Sequence, residues 1–173
     1  MFGPMRQAVT DEDDQADLRV HDMADSVVTM DRLKLVALDE EDMNIISAHV
    51  QDAVMTLGAL TFQKEARRFV MPMNRFAWET QRGLFRKVPE RRNTVLHFER
   101  VDSVRMAGLP AGQPDETLAL LAIRFTPGDA PSGHVELVFS GGGIIRLGVE
   151  CIEARLADLG GAWQASSRPH HKV

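Results

Sequence analysis

The sequence predicts an α+β domain whose sheet is mostly antiparallel and curved, or closed into a partly open barrel. Three observations lead there. A stretch near the start repeats its apolar residues at helical spacing, and the long middle alternates at strand spacing. Strands and helices do not alternate as they do in parallel βαβ folds.

The elements follow in chain order. LKLVAL (33–38) is a short apolar strand. Asp39 then has the character of an N-cap, and Glu40, Glu41 and Asp42 suit the positive end of a helix dipole. Met43, Ile46, Val50, Val54 and Leu57 form one stripe, which predicts a helix over 40–57 stopped by Gly58. ALTFQKE (59–65) and RFVMPMNRFAW (68–78) make a hairpin turning at Glu65–Arg67, with Pro72 marking an edge or a bulge. The stretch ETQRGLFRKVPERRN is an exposed loop by composition, with Gly83 and Pro89. NTVLHFERVDSVRMAG (93–108) predicts one long or bent strand, and TLALLAIRF (117–125) a buried one. HVELVFS (134–140) and IIRLGVE (144–150) flank Gly141–Gly143 as a second hairpin. In CIEARLADLG (151–160), Ile152, Leu156 and Leu159 share a helical face, so a C-terminal helix is expected there, and Trp163 lies just beyond. The resulting order, with a final helix packed at an open end of the sheet, is like that of a pleckstrin-homology barrel.

Composition sets the boundaries. At 173 residues, 44% hydrophobic and 26% charged, the chain suits one globular domain, and no apolar run reaches the roughly 20 residues of a membrane span. The opening MFGPMRQAVTDEDD has no apolar core of a secretory signal, so a cytoplasmic location is expected. The single cysteine, Cys151, excludes an intrachain disulfide and a Cys-based zinc site. Tyrosine is absent, and nine methionines join Leu, Val and Ile in the expected core.

Charge is segregated. Residues 1–30 hold Asp11, Glu12, Asp13, Asp14, Asp17, Asp22 and Asp25 against Arg6 and Arg19, so this stretch carries the whole net charge of −5. It lacks periodicity and is read as an acidic disordered arm or a leader, with Met23 and Met30 as alternative starts. The domain then spans 31–163, and 164–173 is a flexible tail. Between Lys64 and Arg92 the balance reverses to +6. Arg75, Arg82, Arg86, Arg91 and Arg92 are the candidate anion-binding residues, and Phe76, Trp78 and Phe85 are interleaved as stacking surfaces. The plainer reading is a solvated loop that keeps the protein soluble.

Several strings resemble an alphaproteobacterial family of small proteins known only as a domain of unknown function. They are LKLVALDEEDMNIISAHVQDAV, RFVMPMNRFAWE, LHFERV, LLAIRF and VFSGGGIIRLGVECIEARLADLG, and the resemblance covers nearly all of 33–169. It implies no activity, cofactor or site residue.

No reaction motif is present. Candidate chemistry comes down to His49 and Asp52, three apart on the first helix, and to His97 and Glu99 on one face of the long strand. Ser47 points elsewhere and completes no triad. SGGGI lacks a following Lys-Ser/Thr, so it is a hairpin turn rather than a phosphate cradle. Cys151, at the start of the expected helix, is read as a small buried hydrophobe, and His170 and His171 as too flexible a pair for a metal site. The leading expectation is a non-catalytic binding or adaptor module that needs no cofactor or metal. It would hold an acidic protein, a phosphate-bearing ligand or RNA on its basic surface. The alternative is a small enzyme with a site built from His49, Asp52, His97 and Glu99. Ligand and oligomeric state are not readable.

Overall fold

A computed structural model describes residues 32–81, 90–160 and 163–164. Leu33–Val173 forms a unit by itself. The expected arm falls outside the described residues, as does the tail beyond Gln164.

The strands are β1 (Lys34–Ala37), β2 (Val54–Thr56), β3 (Thr61–Gln63), β4 (Arg68–Phe76), β5 (Glu90–Phe98), β6 (Val101–Ala107), β7 (Thr117–Pro127), β8 (Gly133–Phe139), β9 (Ile144–Val149), β10 (Ala154–Asp158) and β11 (Trp163–Gln164). One helix, α1 (Glu40–Val50), lies between β1 and β2. The sheet runs β1-β10-β5-β4-β2-β7-β8-β9-β6, with β3 added to β4 and β11 to β5. Every described pairing is antiparallel. The path ends at β1 and β6, so the sheet is open, and it curves enough for one core to gather side chains from both halves.

Alternation builds that core. Phe69, Met71 and Met73 of β4 point inward with Leu96 and Phe98 of β5, and with Leu137, Phe139, Ile145 and Leu147 of β8 and β9. On β7 the inward parity switches from Leu118 and Leu120 to Ile123, at a register shift between Leu120 and Ala122. There Ser47 of α1 accepts a hydrogen bond from the Ile123 N–H at 2.9 Å, which ties the helix to the irregular strand.

The start of α1 follows the expectation. Asp39 accepts from the Asp42 N–H at 2.8 Å, and the Asp42 carboxylate accepts from the Leu38 N–H at 3.3 Å. Its end does not. The helix stops at Val50 rather than at 57, because Gln51 turns extended and Asp52 adopts a left-handed φ of 62°. The Asp52 N–H and the Ala53 carbonyl are captured by Leu120 of β7, which draws Val54 into a strand. Gly58 therefore stops nothing.

Two further expectations are corrected. The stretch 93–108 is two strands, not one: at Glu99–Arg100 the Glu99 N–H donates to Glu153 and Arg100 takes φ 55°, so β5 and β6 join different parts of the sheet. The C-terminal helix is absent. Residues 154–158 instead fill the slot between β1 and β5, where Ala154, Leu156 and Asp158 point inward. With that helix goes the pleckstrin-homology-like order. The two expected hairpins stand: β3 pairs with β4 and β8 with β9, and the second turn places Gly141 at φ 80° and Gly142 at φ 88°.

Candidate functional site

The inward faces of β4, β5 and β10 end in polar residues: Arg75, Arg92, Thr94 and Asp158 are all buried. Arg75 is wholly inaccessible. Its Nε and Nη2 donate to Asp158 at 2.9 and 2.8 Å, and its Nη1 and Nη2 donate to Glu79 at 3.0 and 2.6 Å. Asp158 also accepts from the Thr94 hydroxyl at 2.7 Å and the Leu33 N–H at 3.0 Å. Burial alone would raise the Asp158 carboxyl, but these bonds hold it below the usual carboxylate range. Burial and bonding oppose each other in the same way at Arg75 and Glu79, and the charged forms win at both: Arg75 is raised and Glu79 lowered.

The Arg75–Glu79 bonds fix the turn Trp78–Gln81 that follows β4. On the outward face, Phe76 and Arg91 are cross-strand partners, and the Arg91 guanidinium lies 4.2 Å from the Phe76 ring centroid. Trp78 packs on Phe76 with centroids 5.2 Å apart and remains 44% exposed. Beside the indole opens a cavity of about 410 Å³, lined by Ala48, His49, Gln51, Asp52 and Trp78. A second cavity, of about 380 Å³, lies near the short β2, with Thr56, Asn74, Asn93 and Thr117 among its uncharged walls.

The expected basic residues fare differently. Arg75 is a structural cation spent on two carboxylates, not a surface contact. Arg92 is buried and donates to Glu90 at 3.2 Å. Arg91 stands over the Phe76 ring, while Arg82 and Arg86 fall outside the described residues. Elsewhere in the basic stretch, Arg67 bridges Asp102 and Glu150, and Arg68 bonds Glu99 at 2.7 Å. Much of the apparent positive charge is thus matched within the domain.

The four acid–base candidates are not brought together. His49 donates from Nδ1 to the Ile45 carbonyl at 2.9 Å, and the left-handed turn carries Asp52 off the helix face they were expected to share. Both nonetheless line the cavity beside Trp78. His97 lies on the opposite pleat face of β5 from Leu96 and Phe98, between Val70 and Arg155. Its half-burial, with Arg68 and Arg155 nearby, lowers its pKa against the opposing pull of Glu99. Cys151 sits in a loop between β9 and β10, so no helix dipole acts on it. His170 and His171 are outside the described residues, and no metal-holding cluster of His, Cys, Asp or Glu occurs among those described.

Sequence reasoning missed the partners of Arg75 and the cavity at the end of α1. Asp158 is 83 residues from Arg75, and no local pattern links them. Among the described residues, no helix is long and apolar enough to cross a membrane. The chain matches no curated protein and no solved structure. A family model does match residues 33–171: the chain belongs to the family described as "Protein of unknown function (DUF2948)".

Proposed function

We propose that this DUF2948 member is a non-catalytic binding module that holds an anionic partner with stackable rings, of which single-stranded RNA is the prototype. The observation that carries the reading is the Arg91–Phe76–Trp78 platform: a guanidinium on one ring, packed in turn on a half-exposed indole. Aromatic faces accept bases, and an adjacent arginine accepts phosphate. In the sequence, the stretch between Trp78 and Arg91 also carries Arg82 and Arg86, which add to its positive charge. The cytoplasmic location and the alphaproteobacterial origin expected above belong to the same reading.

The test is a fluorescence titration with a short oligouridylate at several salt concentrations, on a Trp163→Phe background so that Trp78 alone reports. Binding should quench the signal and weaken with salt, with a log–log slope near −0.7 per phosphate contacted. Arg91→Ala should weaken binding about threefold to tenfold and flatten the slope. An acidic peptide that binds equally well would move the reading to a protein partner. Salt-insensitive binding, or none, defeats it.

A further inference from the structure

Trp78 has two surroundings: the Phe76 ring, over which Arg91 lies, and the cavity of about 410 Å³. The cavity has an electrostatic character opposite to that of the platform. Its floor is the last turn of α1 and the residues just beyond it, Ala48, His49, Gln51 and Asp52. A helix C-terminus presents carbonyl oxygens with a partial negative charge. Asp52 adds a carboxylate from a backbone position held by its N–H, which donates to the Leu120 carbonyl of β7 at 2.8 Å. His49 has its Nδ1 turned to Ile45, and Gln51 is exposed with an amide to offer. The remaining wall is the Trp78 indole, a ring type whose face attracts cations through its quadrupole. No lysine or arginine lines the space.

We propose that this cavity is a binding site for an organic cation, an alkylammonium group such as a lysine side chain or a polyamine carries. The ammonium sits against the Trp78 indole with Asp52 as counter-charge, while the helix carbonyls and Gln51 receive its N–H groups. The site is distinct from the anion platform, and neither requires the other.

The experiment follows the full chain by NMR at constant ionic strength while tert-butylammonium chloride is added. Tert-butanol, similar in shape and uncharged, is the control. The site predicts saturable shifts, in the millimolar range, of the Trp78 indole N–H and the backbone amides of His49, Gln51 and Asp52. Tert-butanol should not reproduce them. Asp52→Asn keeps a residue that tolerates the left-handed φ at this position, so the fold is retained, and it should weaken binding about fivefold. Spermidine and an N-acetyl-lysine amide then separate the two sources, and tighter binding of either supports the site and names its ligand. Equal shifts with tert-butanol, unchanged affinity in Asp52→Asn, or no saturation with any of the three cations would overturn it. Oligouridylate binding is a different measurement, so failure here leaves the platform standing and the reverse.

Discussion

At the scale of single residues, Arg75 and Asp158 form a buried ion pair. Both side chains are essentially removed from water and face each other through two hydrogen bonds. Losing Arg75 strands Asp158 as a buried charge, which costs about 3–5 kcal/mol, whereas losing Asp158 leaves Arg75 its bonds to Glu79. Arg75→Met should destabilise the domain by roughly that amount in urea unfolding at pH 7 and Asp158→Asn by less, with the double replacement costing less than the sum. The pH dependence has a fixed sign. The folded carboxyl ionises more readily than its unfolded counterpart, so its contribution is complete above the unfolded value, about 3.9, and drains away as pH falls through the folded one. The drop in stability between pH 7 and pH 3 should therefore be smaller in Asp158→Asn than in the parent. Neither role was legible in the sequence. Arg75 sits among other arginines and reads with them as surface charge, whereas the alternation of Phe69, Met71 and Met73 along β4 turns it inward.

At the scale of elements, the ends of α1 show what sequence does and does not encode. Its start is a local chemical event: Asp39 satisfies an N–H three residues on, and the acids of the first turn meet the dipole. Asp39→Ala should lower stability by about 1 kcal/mol, read as a shift in urea midpoint at unchanged slope. Its end is a tertiary event. Val54 fits the helical stripe and a strand equally well, and the choice is made by Leu120, a residue of β7. The same ambiguity hid β10. Ile152, Leu156 and Leu159 have helical spacing, and the true inward set of Ala154, Leu156 and Asp158 includes an aspartate, which breaks the apolar alternation a strand would show. The hairpins were legible because glycines, or a short polar turn, separate runs of clear period two. Of the candidate site, Phe76, Trp78 and Arg91 could be seen in the sequence. The cavity could not, because its walls come from α1 and from a turn that Arg75 and Glu79 hold in place.

At the scale of the whole domain, one core is shared by both halves of the sheet and by α1, with no seam between separate clusters. Unfolding of Leu33–Val173 should accordingly be a single transition, with far-UV circular dichroism and tryptophan fluorescence giving coincident curves in urea. The sheet also imposes an order in time. β1 pairs with β10, and the Leu33 N–H finds its acceptor 125 residues later at Asp158. During synthesis β1 is the first strand of the domain to be made, whereas its neighbour in the sheet is among the last. Until translation reaches Asp158, the long strands β4 and β5 can pair but Arg75 has no buried counter-ion on β10 and β5 keeps an open edge. A ribosome stalled before residue 158 therefore holds a hairpin-rich chain whose central arginine has only Glu79 for a counter-ion, and the sheet closes around it only once β10 is made.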